Sequence, residues 1–224
     1  MALILVIETA TKKCSVALFN NGLVIAEKEN ITDGYTHSEQ LTLFIQDVID
    51  SANISLNKIE AVALSMGPGS YTGLRIGTST AKGLCYALDI PLIAISTLKA
   101  MSFAIAKNEE SAIYCPMIDA RRMEVFSALY DSNNKQVRGV QADVVDENTY
   151  KEFLADTIIF FGDGSLKCKE IINHKNAKFI KEIHPSAKNL GILAKAKFEN
   201  KDFEDVAYFE PYYLKDFVAG KKKA

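Results

Sequence analysis

The sequence predicts a two-lobed α/β protein, and three features carry that expectation. Strand-like and helix-like stretches alternate from residue 59 on, as they do along a sheet whose strands are joined by helices. Three strand-like runs open the chain. A short apolar strand followed by a glycine-rich turn occurs in each half, at Gly67-Pro68-Gly69 and at Gly162-Asp163-Gly164, a hint of duplication. The 224 residues suffice for one or two cores of ordinary size, and the polar stretch from Ala106 to Ser111 marks the division. Residues 1–106 then form the first lobe and 107–224 the second.

In chain order, Leu3 to Thr9 and Ser15 to Asn20 are apolar and β-rich, and Asn20-Asn21-Gly22 turns the second run into a third, Leu23 to Glu29. Thr36-His37-Ser38-Glu39 fits a capping box, with Thr36 accepting from first-turn amides and Glu39 reaching back. The helix it starts carries Leu41, Phe44, Ile45, Val48, Ile49 and Ala52 on one stripe, with Leu43 off the stripe and facing water. Ile59 to Met66 reads as a buried strand. The helix after Ser70 stops at Asp89-Ile90-Pro91, because a residue before proline is pushed out of the α region. Leu92 to Ile95 is the next strand, and Ser96 or Thr97 caps a helix running toward Lys107. In the second half, Ile113 to Ile118 and Met123 to Tyr130 pair through a hairpin turn at Asp119-Ala120-Arg121-Arg122 that exposes both arginines. Thr157 to Phe161 is a strand, and helices fill Leu166 to Asn173 and Ser186 to Phe198.

Composition narrows the function. Lys plus Arg number 26 against 28 Asp plus Glu, so no global basic field draws nucleic acid; the three lysines of the terminal Gly220 to Ala224 stretch read as a solvated end. The opening apolar run has no basic segment before it and no cleavage signature, and no stretch approaches the length of a membrane span. Cys14, Cys85, Cys115 and Cys168 are far apart, which suits reduced, buried thiols. The expectation is a cytoplasmic protein.

The loop Gly67 to Gly77 follows a strand and enters a helix, a setting in which backbone amides can hold an anion. It fails the sharper patterns. A Walker A loop needs Gly-Lys-Ser/Thr, and Gly73 is followed by Leu74; in the dinucleotide fingerprint the third glycine would come one place earlier. Gly73, Gly77 and Ala81 also form a smooth helical stripe that allows close packing. Packing and phosphate binding both stay open here. His37, His174 and His184 show no metal-binding spacing, His37 at a helix start and His184 before Pro185 read as surface or capping histidines, and neither Ser70 nor Ser165 lies in a G-x-S-x-G elbow. In the actin, hexokinase and Hsp70 superfamily an Asp-x-Gly-x-Thr turn between the first two strands meets nucleotide phosphates. The matching place here is Glu8-Thr9-Ala10-Thr11-Lys12, with a longer acid and alanine for glycine.

Several blocks together resemble the TsaB (YeaZ) family: ILVIETATKKCSVAL, THSEQL, GPGSYTGLRIGTSTAKGL, PLIAISTLKAM, IDARRMEVFSALY and EPYYLK, in family order over nearly the whole chain. The resemblance implies an ASKHA (actin/hexokinase/Hsp70-like) fold of two ribonuclease H-like lobes. It implies a role in forming N6-threonylcarbamoyladenosine at position 37 of tRNAs that read ANN codons, as the non-catalytic partner of a TsaD-type paralogue. A TsaE-type ATPase joins that pair, a homodimer competes with it, and tRNA is reached only through the complex. Where the paralogue carries metal-binding histidines, this chain reads Ile95-Ser96-Thr97-Leu98-Lys99. No catalytic residue, metal or cofactor is therefore expected, although a weak vestigial nucleotide site stays open.

The resemblance places the association surface on the helices starting near Thr36 and Ser70, with His37, Leu43, Tyr71, Gly73, Leu74, Gly77 and Ala81 as its residues. A bulky replacement of Gly77 is expected to abolish pairing and leave the fold. Degenerate phosphate-loop residues are Glu8, Thr9 and Thr11, then Gly67, Gly69 and Ser70, then Gly162, Asp163 and Gly164. Two rival readings remain. An ATP-dependent phosphotransferase would use Glu8 to organise a metal and Asp163 as the acid of a second phosphate loop, and a metallopeptidase would need metal ligands that the sequence lacks.

Overall fold

The computed structural model describes residues 2–32, 34, 36–106, 111–180 and 183–215. The polar segment expected to divide the lobes and the terminal lysines fall largely outside these residues. The first sheet is formed by β1 (Leu3–Glu8), β2 (Lys13–Asn20), β3 (Leu23–Ile31), β4 (Ala61–Gly67) and β5 (Leu92–Ser96), and the second by β6 (Ile113–Asp119), β7 (Glu124–Tyr130), β8 (Gln136–Val144), β9 (Ile158–Phe161) and β10 (Ala177–Phe179). Their spatial orders are β3-β2-β1-β4-β5 and β10-β9-β6-β7-β8. Written from the other edge, the second order repeats the first. The pairing repeats too: the first three strands of each half run antiparallel, and the fourth and fifth add in parallel to the first.

Strand periodicity explains how the first sheet is covered. Side chains alternate between faces, so Leu5, Ile7, Val62, Leu64, Leu92 and Ala94 pack in one cluster with Leu41, Phe44, Ile45, Val48 and Ile49 of α1 (His37–Ser51) and Ala81 and Cys85 of α2 (Tyr71–Leu88). Ile4, Val6, Ala61, Ala63, Ile93 and Ile95 face the other way, onto Ala187, Leu190 and Ala194 of α4 (Ala187–Glu199). Small residues on both sides of that contact bring helix and sheet close, and a Cβ on Gly191 would be driven into the Phe19 ring.

This packing corrects the division at residue 106. The helix α4 and the tail beyond it belong to the first sheet, while α3 (Thr97–Ile105) places Leu98 and Met101 in a cluster with Tyr114, Ile118, Tyr130 and Phe161 of the second. Each half lends a helix to the other. Hydrogen bonds hold α4 in place: the Ala187 amide donates to Ser15 Oγ (3.0 Å), and the Ser186 hydroxyl donates to Glu29 (2.8 Å), which pairs with Lys13.

Other expectations fare unevenly. The helix at His37 starts on schedule, but the Thr36 side chain makes no capping bond and lies 3.3 Å from the Thr32 hydroxyl instead. Ser96 does cap α3, accepting from the Lys99 amide. Asp89 ends α2 in a left-handed conformation, φ 53°. The expected helix at 166–173 is only a single tight turn, Leu166–Cys168. The strands β8 and β10 were not foreseen. The first is an edge strand whose side chains are mostly half to fully exposed, and the second has three residues, so neither carries an apolar signature.

A fragment ending at residue 106 would expose the α4-facing side of the first sheet. We expect it to show no cooperative urea transition, and a normal two-state melt of that fragment would contradict this account of the packing.

Candidate functional site

The glycine block meets the first turn of the same chain. Gly73 and Gly77 lie on the buried side of α2, one turn apart, and a Cβ on either would be driven into Thr9, at its carbonyl oxygen from Gly73 and at its hydroxyl from Gly77. A Cβ on Gly69 would meet the Ala10 carbonyl. Hydrogen bonds close the contact: the Ser70 amide donates to Ala10 O (2.7 Å), the Thr9 hydroxyl to Gly73 O (2.8 Å), and His37 Nε2 to Thr11 O (2.7 Å). Gly67 has φ 111°, a conformation that disfavours any side chain, and its missing Cβ makes room for the Tyr212 carbonyl.

These positions revise the expected association surface. Gly73, Leu74, Gly77, Ala81 and His37 are buried inside the lobe. The glycines exist for an internal contact, so a bulky residue at 77 damages the fold itself. His37 is likewise a core residue and not a surface one; burial lowers its pKa against the opposing effect of its bond to Thr11. Leu43 remains outside, 62% exposed, and Tyr71 is half-buried at the start of α2. The outer face of α2 carries Thr72, Ser79, Gly83 and Ala87, with Tyr86 87% exposed. Beyond its own chain neighbours and helix backbone, nothing among the described residues lies within 4 Å of where a Gly83 Cβ would sit, so no packing contact there explains this glycine.

Glu8 is fully buried. Its Oε1 accepts from the Ala10 amide (2.6 Å) and the Ser65 hydroxyl (2.8 Å), and Oε2 has no hydrogen-bond partner among the described residues. Burial raises its pKa to about 7, against the lowering effect of those bonds and of Lys13.

A cleft of about 490 Å³ lies between the lobes. The first lobe contributes Ala10, Thr11, Gly69, Ser70 and Thr72, and the second Asp119, Arg121, Phe126 and Asp163. Asp163 is turned toward its own lobe, accepting from the Asp119 amide at 3.0 Å, and burial raises its pKa. Gly162 (φ 102°) and Gly164 admit the backbone of Met117 and Ile118, so this second loop packs on β6 as the first loop packs on the β1–β2 turn. Tyr212 to Lys215 form a third wall, which sequence reasoning did not place. The Tyr212 amide donates to Met66 O (2.7 Å), the Tyr213 ring packs at a tilt against Tyr71 (centroids 4.8 Å apart), Arg75 lies over Tyr71 (4.3 Å), and Lys215 pairs with Glu124 of β7. The aromatic pair of EPYYLK is the only signal for this segment in the sequence, since an irregular strap has no period to detect.

Two lobes built on one repeated sheet topology, with a cleft between them, define a two-lobed ASKHA-like protein. Comparisons with known proteins agree and go further. The family profile described as "TsaD: tRNA N6-adenosine threonylcarbamoyltransferase" matches residues 34–223. The tRNA threonylcarbamoyladenosine biosynthesis protein TsaB of Escherichia coli is 30% identical over 98% of this chain and 97% of its own length, and that of Bacillus subtilis is 30% identical over 95% and 93%. The solved structure of YeaZ from Pseudomonas aeruginosa superposes with a TM-score of 0.82 at 25% identity, covering 96% of this chain and 100% of its own. The chain belongs to the TsaB (YeaZ) family.

Two variants test the site. Gly73→Ala pushes a methyl group into backbone, and overpacking of this kind costs about 1–3 kcal/mol or more, read as a lower urea midpoint. For Glu8, the folded state holds its proton up to about pH 7 while the unfolded state loses it in the ordinary carboxylate range. Unfolding then releases a proton, so this contribution to stability falls as pH rises toward 7 and levels off above it. Urea melts from pH 5 to 8 should show that slope in the wild type and a shallower one in Glu8→Gln; identical slopes would count against the assignment.

Proposed function

We propose that this chain is the non-catalytic subunit that binds and supports a TsaD-type threonylcarbamoyltransferase in forming N6-threonylcarbamoyladenosine at position 37 of tRNA. The observation that carries this reading is the closed first turn. In a working member of the superfamily that turn faces nucleotide phosphates and its acid organises a metal. Here Glu8 is withdrawn from the cleft, and Thr9 and Ala10 are held by Gly73 and Ser70. With Glu8 buried in bonds to Ala10 and Ser65, this turn brings no acid into the cleft to organise a metal for Mg-ATP. Among the described residues, no three His, Cys, Asp or Glu side chains come together as metal ligands, which also speaks against the metallopeptidase reading. The phosphotransferase reading loses its metal organiser with Glu8.

The association surface on this reading is the outer side of α1 and α2, where Leu43, Gly83 and Tyr86 lie exposed. Among the described residues no helix is long and apolar enough to cross a membrane. A TsaD-type paralogue is the proposed occupant, with a second copy of this chain as competitor and a TsaE-type ATPase joining the assembled pair in the cytoplasm.

Gly83→Arg tests the surface with little risk to the fold. Helix propensity favours arginine over glycine by about 0.5–1 kcal/mol, so the variant should melt no lower than wild type, yet fail to co-purify with the TsaD-type protein of the same cell. Undiminished co-purification would remove α2's outer face from the interface.

A further inference from the structure

The hairpin turn between β6 and β7 holds two consecutive non-glycine residues with positive φ, Arg121 at 72° and Arg122 at 51°. Glycine and asparagine take this conformation most readily, so arginine here works against local preference. The turn is nonetheless firmly fixed. Lys167 Nζ donates to the carbonyls of Arg122 (2.7 Å) and Glu124 (2.7 Å) and pairs with Asp119, while the Arg121 amide donates to Asp119 Oδ1 (2.9 Å). The acids nearby are already engaged: Asp119 by Lys167, Glu124 by Lys215, and Asp163 by the Asp119 amide. Both arginines are exposed, with no ion pair among the described residues, and Arg121 lines the cleft alongside Tyr212 and Tyr213.

A firmly held turn that presents two exposed guanidinium groups, one of them lining a cleft that Tyr212 also lines, fits a phosphodiester chain, whose phosphates accept from guanidinium and whose bases stack on tyrosine. We propose that Arg121 and Arg122 form a direct RNA contact at the cleft mouth, engaging backbone phosphates of the tRNA handled by the complex. This rests on the function proposed above, and it departs from the expectation that the partners alone touch tRNA.

The test compares wild type with two double variants in complex with the TsaD-type partner, using a labelled tRNA transcript and fluorescence anisotropy across salt concentrations. Arg121→Gly/Arg122→Gly relieves the strained backbone while removing both charges, so its melting temperature should not fall and pairing should persist. Its RNA affinity should drop about tenfold, with the slope of log affinity against log salt shallower by about 1 to 2. Arg121→Lys/Arg122→Lys keeps the charge and should retain most of the affinity. Equal affinity and slope in the glycine variant overturn the contact. So does saturable micromolar binding of 5′-AMP that the glycine variant loses, since the pair would then serve a mononucleotide. Should wild type fail to pair with the TsaD-type protein, the proposed function fails separately. The same variants are then compared on RNA without the partner, and equal affinities again overturn the contact.

Discussion

The structure depends on the contact between the β1–β2 turn and the start of α2. Three glycines, Gly69, Gly73 and Gly77, remove side chains where the helix meets Thr9 and Ala10, and two hydrogen bonds fasten the turn to the helix. His37 anchors the same turn from α1 through Thr11. One short segment thus orients both α1 and α2. A turn that used its acid to organise a metal would need that carboxylate in the cleft, whereas Glu8 bonds inward to the Ala10 amide and the Ser65 hydroxyl. Glu8 shows the same conversion from the electrostatic side, being buried with a pKa lifted to about 7 by loss of solvent.

The lobes do not stand as independent units. Helix α3 leaves the first half to cover the second sheet, α4 returns to cover the first, and the strap from Glu204 onward runs along α2 and crosses to β7. The outer face of α1 and α2 is therefore connected to the cleft by covalent chain and packed side chains. Tyr71 and Arg75, on the helix that carries the exposed face, also hold Tyr213 at the cleft wall.

Much of the fold was legible because most strands here are either fully apolar or alternate cleanly. Ile4 to Ile7 and Ala61 to Leu64 announce a sheet buried on both faces, and the stripe of α1 announces a helix with one wet side. Edge strand β8 was not legible, since its polar pattern matches a loop equally well. The course of α4 was invisible for a different reason: a helix stripe says that a face is buried, not against which sheet. The glycine block shows the same limit. Its spacing signalled close approach, but only the coordinates reveal that the approaching group is Thr9 of the same chain and not a partner. Gly83, outside the expected stripe, was missed because a lone glycine in a helix has many explanations until its surroundings are seen.

On the function proposed here, the first turn serves as a structural element and not as a phosphate site. Titration calorimetry of the full chain with Mg-ATP measures this most directly. No saturable heat is expected at nucleotide concentrations up to about the millimolar range, where specific nucleotide sites would show affinities stronger than about −4 kcal/mol. Stoichiometric binding with a micromolar dissociation constant would contradict it and would return the chain to the nucleotide-using members of its fold.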